Sequence, residues 1–134
     1  MIDARVAASF AAQSLMVTFG ATLISAGDGR CTIVAPILPG ARQQHGFGHA
    51  GLTFALGDSA AGFAALGLMA PDHEVLTVEM KINLLAPARG DRLIAEGRVV
   101  RPGRRLMVVA AEVFAEKDGH RTPVALLQGT MIPA

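Results

Sequence analysis

Residues 50–69 read AGLTFALGDSAAGFAALGLM, and this stretch decides the fold because almost every position in it is apolar or small. Such a run is typical of a helix that is buried on all sides. Gly57, Gly62 and Gly67 lower the helix propensity of the stretch by about 1 kcal/mol each, which indicates that other elements approach the helix closely. The sequence therefore predicts a buried central helix over Ala50–Met69.

The sequence on both sides of this helix predicts strands. Within Val75–Leu85, apolar and polar residues alternate, which is the pattern of a strand with one buried face. Asp28-Gly29 and Asp118-Gly119 are dipeptides favoured in hairpin turns. Successive hairpins around one long helix favour an α+β architecture, with residues 1–134 forming a single domain. The other predicted elements are an N-terminal helix from Ala4 to about Met16 and the strands Gly20–Gly27, Arg30–Leu38, Asp91–Arg101, Leu106–Ala115 and Val124–Ile132.

Hydrophobic residues make up 51% of the 134 residues and charged residues only 17%. A composition this apolar predicts either a membrane segment or a large surface buried against partner subunits. The membrane alternative is disfavoured because Asp58 lies near the middle of the apolar run, where a charge costs about 2.5–3.5 kcal/mol. The chain also has no Trp or Tyr, the residues that mark membrane interfaces. We therefore expect no membrane span and extensive contact between subunits.

The charge and cysteine content narrow the classes of function. A net charge of +1 and the absence of Trp and Tyr provide neither the basic surface nor the stacking platforms of a nucleic-acid-binding protein. Cys31 is the single cysteine, so neither an internal disulfide nor a cysteine-based metal site is predicted. A lone cysteine is typical of a reducing compartment, and we expect the protein to be cytoplasmic.

Asp58 is the one ionisable residue between His49 and Asp72. A carboxylate in a buried helix is costly unless something offsets it, so Asp58 is either a structural or a functional residue. Residues 43–51 (QQHGFGHAG) place glycines and polar side chains at the predicted helix start. Free backbone N–H groups and the helix dipole stabilise negative charge there. Asp58 follows Gly51 by two turns, about 10 Å, so a substrate lying along the helix would present one carbonyl group to both.

Two motifs in this region resemble a known signature. His49-Ala50-Gly51 followed by Leu56-Gly57-Asp58-Ser59-Ala60 is similar to the HGG…LxDxA signature of hotdog-fold acyl-CoA thioesterases of the phenylacetate-degradation (PaaI-like) branch. Downstream, Leu76–Ala88 looks like the family's strand that ends in INFLRPA, and residues 90–93 and 100–104 continue the match in register. The resemblance covers the chain from about Gly20 to Met131.

The resemblance implies a fold, an assembly and an activity. The implied fold is a hotdog, and the implied assembly is a homodimer whose sheets join, with active sites at the interface; such dimers commonly pair into homotetramers.

The resemblance also implies roles for single residues. Asp58 would activate water or attack the thioester carbonyl, and the Gly51 N–H would polarise the carbonyl oxygen. Gln43 stands where the family usually has Asn. Thr77 would assist from the partner subunit, although the alternation places Thr77 with Glu79 on the polar side of its strand. No metal or redox cofactor is expected, since coenzyme A is part of the substrate.

Several residues keep two interpretations. His49 is either a catalytic acid or a residue that holds the loop by hydrogen bonds. Arg89 and Arg104 are either solvated or bind the phosphates of coenzyme A, for which the guanidinium geometry is suited.

The first hypothesis for the protein is an acyl-CoA thioesterase that acts on a small, medium-chain or aryl acyl group. The second is a non-catalytic acyl-CoA-binding protein or sensor on the same fold. The third is a hotdog dehydratase or hydratase, which carries a different Asp/His or His/Glu motif. Fold alone does not separate the three, because function depends on the site.

Overall fold

The structure is a computed structural model that describes residues 1–134, and it contains three α-helices and six strands. The strands form one antiparallel sheet in the order β1-β2-β4-β5-β6-β3. The predicted α+β architecture, an antiparallel sheet with one long helix against it, is therefore confirmed. In chain order the elements are α1 (Ala4–Ala12), α2 (Ser14–Thr18), β1 (Thr22–Gly27), β2 (Arg30–Pro36), a 3₁₀ turn (Pro39–Ala41), α3 (Ala50–Leu66), β3 (Val75–Leu84), β4 (Arg92–Arg101), β5 (Met107–Lys117) and β6 (His120–Pro133).

The long helix α3 packs on β2, β3, β4, β5 and β6. It begins at the predicted residue but ends at Leu66 rather than Met69. The N–H groups of Leu68 and Met69 bond to carbonyls three residues back, which tightens the chain into a turn. No helix of the structure has both the length and the apolar composition needed to span a membrane. The largest side chains of the shared core that are almost completely buried include Leu52, Leu56, Leu66, Ile33, Leu93, Val109, Val113 and Leu127.

Helix and sheet approach closely where β4 passes the middle of α3. A Cβ atom on Gly97 would lie 2.3 Å from the carbonyl carbon of Ala60 and 2.6 Å from the backbone nitrogen of Ala61. On the helix side, a Cβ atom on Gly57 would come within 2.8 Å of the methyl groups of Leu127. The close approach expected from the helix glycines is therefore confirmed at Gly57, and the strand contributes a glycine of its own at Gly97.

The strand β3 lies at the edge of the sheet, because it pairs only with β6. Its alternating sequence predicts one buried face, but Leu76, Val78 and Leu84 are 55%, 57% and 57% exposed. That prediction is wrong for these three residues: Leu76 points away from the face on which Val75 packs against the core, Val78 lies at a shift in the register with β6, and Leu84 is the last residue of the strand. The result is a set of exposed apolar side chains on an edge strand.

A β-bulge interrupts β3. The register with β6 shifts between Thr77 and Glu79, and an extra residue in a strand exchanges the faces to which the following side chains point. Val75 packs against the core before the bulge, and Met80 and Ile82 do so after it. A prediction that assumes unbroken alternation along β3 therefore places the residues on one side of the bulge on the wrong face of the sheet.

The N-terminal segment forms two helices instead of one. The sequence predicts a continuous helix from Ala4 to about Met16, but the backbone is extended at Gln13 (φ −85°, ψ 96°), so this prediction is wrong. Val6 and Met16 are both buried, and on one straight helix their side chains would point about 80° apart. The break allows both side chains to enter the core.

A second set of contacts ties this segment to α3. The side chain of Asp3 caps α1 by accepting hydrogen bonds from the backbone N–H groups of Arg5 and Val6. A cation is favoured at the carbonyl end of a helix, and the Arg5 guanidinium occupies that position on α3. It donates hydrogen bonds of 2.7, 3.0 and 2.6 Å to the carbonyl oxygens of Leu66, Met69 and Ala70.

Replacing Gly97 with Ala will destabilise the fold, because the added methyl group meets the backbone of α3 rather than a flexible side chain. We expect the free energy of unfolding, measured by urea denaturation, to fall by about 1–3 kcal/mol, the usual cost of overpacking. Gly40→Ala is the matched control, since no atom lies within 4 Å of the carbon it adds. An unchanged urea midpoint for Gly97→Ala would contradict the close packing of helix on sheet.

Candidate active site

Asp58 lies in the middle of α3 and faces a small pocket of about 100 Å³. The side chain is partly exposed, whereas Leu56 and Ala60 on the same helix are completely buried. The carboxylate therefore reaches the surface through this pocket. Its walls come from the helix break, α3, β3 and β6, and they comprise Gln13, Asp58, Ser59, Gly62, Phe63, Val75, Thr77 and Met131.

Thr77 is the direct partner of Asp58. Its hydroxyl donates a hydrogen bond of 2.8 Å to Asp58 Oδ1, and the Sδ atom of Met131 lies 3.2 Å from the same hydroxyl. Glu79 accepts a hydrogen bond from Thr130 instead. The expectation that Thr77 shares the polar side of β3 with Glu79 is therefore wrong, because the bulge between them changes the face. The Thr77 that contacts Asp58 belongs to the same chain.

The environment of Asp58 favours a basic carboxylate. Burial raises the pKa of Asp58 above its ordinary value of 3.8, and the hydrogen bond from Thr77 opposes part of that rise. A carboxylate with a raised pKa is a stronger base at neutral pH than a solvated one. Oδ2 accepts no hydrogen bond from the chain, so this oxygen is available for chemistry.

A larger cleft of about 550 Å³ opens at the N-terminus of α3. Part of its lining carries the polar groups of the 43–53 segment, and the rest is the apolar end of β3 with the residues that follow it. The cleft therefore combines donors at a helix start with apolar surface for a ligand. Its lining comprises Gln43, Phe47, Gly48, His49, Ala50, Thr53, Leu84, Leu85, Ala86, Pro87, Ala88 and Val124.

His49 is the N-cap residue of α3. Its Nδ1 atom accepts the Gly51 N–H at 2.7 Å, and in a neutral ring this leaves the proton on Nε2. The Gly51 N–H, predicted to contact a substrate carbonyl, is thus occupied in this structure, and the geometry favours the loop-holding interpretation of His49. The preceding N–H, that of Ala50, has no acceptor in the chain and belongs to a residue that lines the cleft.

Gln43 organises the loop before the helix. Its Oε1 accepts hydrogen bonds from the backbone N–H groups of His45 and Phe47, and its own backbone N–H bonds to the Phe47 carbonyl at 2.9 Å. The side-chain oxygen is therefore used within the loop. Only the amide N–H groups of Gln43 remain to act on a ligand, so here Gln43 is a donor and not an acceptor.

The two sites are separate within one chain. They share no lining residue, and on an α-helix Thr53 and Asp58 point about 140° apart. A substrate lying along α3 of one chain cannot easily contact both sets of groups. The cleft and the Asp58 pocket are therefore two separate candidate half-sites.

The two predicted phosphate-binding arginines also lie far apart. The Arg89 guanidinium stacks over the ring of Phe47, 5.1 Å from its centroid, beside the cleft. Arg104 lies near Leu68 and Met69, beyond the other end of α3. That helix of 17 residues is about 25 Å long, so the arginines of one chain do not converge.

Two contributors to these half-sites are not singled out by sequence motifs. Gln13 lines the Asp58 pocket and Ala50 supplies the free N–H at the cleft. The signal for Gln13 is a long polar side chain in a small and apolar N-terminal segment. No sequence signal separates the N–H of Ala50 from that of Gly51, because the difference arises from the His49 cap.

The family model described as the Thioesterase superfamily matches residues 45–121, which is more than half of the chain. Among solved structures, a thioesterase family protein from Silicibacter pomeroyi is 41% identical, with a TM-score of 0.94 over 96% of this chain and 95% of that one. The BH2602 protein from Bacillus halodurans, solved with CoA, is 25% identical, with a TM-score of 0.79 over 92% of this chain and 77% of that one.

The PaaI protein from the phenylacetic acid degradation operon of E. coli shares the fold, with a TM-score of 0.85 over 96% of this chain and 89% of that one, at 22% identity. This likeness confirms the hotdog architecture indicated by the sequence motifs. The match to the family model extends from the loop before α3 to the last hairpin and includes Asp58. The chain therefore belongs to the Thioesterase superfamily, and it is a hotdog-fold thioester hydrolase.

Proposed function

We propose that the protein hydrolyses the thioester of a small or medium acyl-CoA, with Asp58 as general base or nucleophile. The observation that carries the proposal is the partly buried carboxylate with a raised pKa, held by Thr77 and open to a pocket. The similarity to a structure solved with CoA supports coenzyme A as the thiol part of the substrate.

The free oxygen of Asp58 can act in two ways. As general base, Oδ2 takes a proton from water while the water oxygen bonds to the thioester carbon; the C–S bond then breaks and the coenzyme A thiolate leaves and takes up a proton. As nucleophile, Oδ2 itself bonds to that carbon, the C–S bond breaks and the coenzyme A thiolate leaves and takes up a proton; water then hydrolyses the resulting anhydride to the free acid and the Asp58 carboxylate. Both routes end in the free acid and coenzyme A, and both require only water and the groups described.

The negative charge that develops on the carbonyl oxygen needs a donor. The Ala50 N–H is unpaired and lies at the positive end of the α3 dipole, so we assign the oxyanion contact to Ala50. The Gly51 N–H would reach a substrate only if His49 turned away from it. The free amide N–H groups of Gln43 line the same cleft and provide a further donor.

A homodimer would bring the two half-sites together. If the exposed edge strand β3 pairs antiparallel with its counterpart, the start of one strand lies beside the end of the other. Thr77, near the start of β3, adjoins Asp58, while Leu84 at its end lines the cleft. Such pairing would place the partner subunit's Asp58 beside the cleft formed by Gln43 and Ala50, and would cover exposed apolar side chains of the edge strand.

The same arrangement assigns roles to the arginines. Arg89 stands beside the cleft, and antiparallel pairing would bring the far end of the partner subunit, where its Arg104 lies, toward that cleft. Both guanidinium groups could then contact the phosphates of one coenzyme A. Pairing of dimers into tetramers stays a prediction, with exposed Val100 and Leu126 on the outer face of the sheet as apolar surface for it.

Asp58→Asn should reduce thiol release from a panel of aromatic, short-chain and medium-chain acyl-CoAs by about 10²–10⁴-fold, the contribution of a general base. The variant should remain folded. Because the pKa of Asp58 is higher in the folded than in the unfolded protein, the carboxyl favours folding below pH 3.8, and this contribution is lost as the pH rises through the folded-state pKa. At pH 7 the Asn variant should therefore be at least as thermostable as the wild type.

Asp72→Asn is the matched control for this experiment, since Asp72 is exposed and outside both half-sites. Near-normal turnover by purified Asp58→Asn would refute the assignment of Asp58. Tight binding of acyl-CoA by the wild type without any thiol release would favour the non-catalytic binding protein.

Thr77→Val should move the acid limb of the kcat/KM profile to higher pH. The hydroxyl lowers the pKa of Asp58, so its removal raises that pKa, and the catalytic ionised form appears only at higher pH. Thr130→Val makes the same change on the outer face of the sheet, where Thr130 bonds to Glu79, and should leave the limb in place. An acid limb that does not move in Thr77→Val would mean that the limb reports a group other than Asp58.

A subunit-complementation experiment tests the shared site. Ala50→Pro removes the free N–H while keeping a residue favoured at the first position of a helix, and the extended backbone of His49 (φ −64°, ψ 145°) suits a following proline. This change alone should cost about 10²–10³-fold in kcat, as for loss of an oxyanion donor.

Co-expression of Asp58→Asn with Ala50→Pro should then restore activity. Half of the dimers would be mixed, and one of the two sites in each would be intact, so about one quarter of the wild-type activity is expected for an isologous dimer. Activity no higher than the mean of the two single variants would show that each site lies within one chain.

A further inference from the structure

We propose that Gln13 selects the acyl group: its carboxamide donates a hydrogen bond to a neutral oxygen, hydroxyl or carbonyl, carried by the acyl chain. Acyl-CoAs oxygenated in this way would be preferred over the corresponding hydrocarbon acyl-CoAs. The inference rests on the proposed thioesterase function and adds to it a class of substrate.

The backbone at Gln13 presents the side chain to the pocket. Gln13 is the single extended residue between α1 and α2, with its N–H bonded to the Phe10 carbonyl and its carbonyl bonded to the Met16 N–H. Ser, Thr, Asp and Asn are the residues that commonly cap a helix with their side chains, and the Gln13 side chain makes no capping bond to α2. It extends instead toward α3 and lines the pocket with Asp58.

The helix fixes the orientation of the amide. Ser59, the residue after Asp58, donates its hydroxyl to Gln13 Oε1 at 3.2 Å. The oxygen of the carboxamide is thereby held toward α3, and its two N–H donors have no acceptor in the chain. Phe10 packs edge-to-face on Phe63, with ring centroids 6.1 Å apart, so the helix that precedes Gln13 is also held against the helix that carries Asp58.

The other side-chain hydrogen-bond donors of the pocket are already engaged. The Thr77 hydroxyl donates to Asp58 and the Ser59 hydroxyl donates to Gln13, which leaves the Gln13 amide as the free side-chain donor. The remaining walls are apolar side chains, including Phe63, Val75 and Met131. An oxygen on the acyl group is therefore satisfied by Gln13, whereas an acyl group ending in a carboxylate is disfavoured by the charge on Asp58.

The size of the pocket agrees with a small acyl group. Its volume is about 100 Å³, against about 550 Å³ for the cleft. The larger cleft suits the thiol arm of coenzyme A, and the smaller pocket suits the acyl end of a substrate whose thioester carbon lies at Asp58. A donor placed in a small pocket contributes to discrimination because an acyl group without an acceptor leaves it unpaired.

The test compares kcat/KM for butyryl-CoA with kcat/KM for 2-hydroxybutyryl-CoA, 3-hydroxybutyryl-CoA and 3-oxobutyryl-CoA. The wild type should prefer at least one oxygenated substrate over butyryl-CoA. Gln13→Met keeps the length of the side chain and removes the donor, so the preference should fall by about 2- to 12-fold, the value of one hydrogen bond. Gln128→Met, the same change on an exposed residue of the outer sheet face, should leave the preference unaltered.

A second variant keeps the test independent of α1 and α2. Ser59→Ala removes the hydroxyl that orients the amide, and it should lower the same preference in part while Gln13 remains. A role of Gln13 that is only structural would change the rates for all four substrates together and leave their ratio constant.

The outcomes separate the two proposals. An unchanged ratio in Gln13→Met and Ser59→Ala, or a wild type that prefers butyryl-CoA to all three oxygenated substrates, would overturn the role of Gln13 and leave the thioesterase proposal intact. Failure of the wild type to hydrolyse any of the four thioesters or any acyl-CoA of the wider panel would overturn both.

Discussion

The packing of α3 into the sheet is the constraint on which the rest of the structure depends. A helix without a polar face is stable only if the sheet covers it; at Gly97 an added Cβ atom would meet the backbone of α3, and at Gly57 it would press on the side chain of Leu127. This contact places Asp58 at the margin of the core, where partial burial raises its pKa while the carboxylate still reaches a pocket at the surface. It also directs the N-terminus of α3, with its free N–H, into the cleft. The contact that stabilises the fold thus also positions the candidate catalytic groups, Asp58 and the N-terminus of α3.

The edge strand β3 serves the site and the surface together. Its bulge turns Thr77 toward α3, so that one hydroxyl moderates the pKa of Asp58. Its exposed apolar side chains and unpaired backbone form an edge that invites pairing with another strand. In the proposed dimer that pairing would complete the active site and bury this apolar surface, which would account for the high apolar content of the chain.

In the proposed scheme, the two half-sites supply different groups to the reaction. The cleft supplies donors, namely the Ala50 N–H and the amide of Gln43, whose oxygen is committed to its own loop. The Asp58 pocket supplies the base and, through Gln13 and Ser59, a further donor for the acyl group in the proposed scheme. The N-terminal helices thus do more than cover the core, because the break between them places the carboxamide of Gln13 in the pocket.

The sequence by itself determined the elements whose patterns are local: the buried helix from Ala50, the hairpin turns, the strands, and Asp58 as the unusual charge in an apolar run. Tertiary structure alone decided the face of Thr77, the break at Gln13 and the capture of the Gly51 N–H by His49. The face that each residue of β3 occupies depends on the bulge, and the bulge is set by pairing with β6. The break at Gln13 depends on the burial of Val6 and Met16 together. Those contacts join residues that are distant in the chain, whereas the periodicity of a sequence carries information only about residues that are close in the chain.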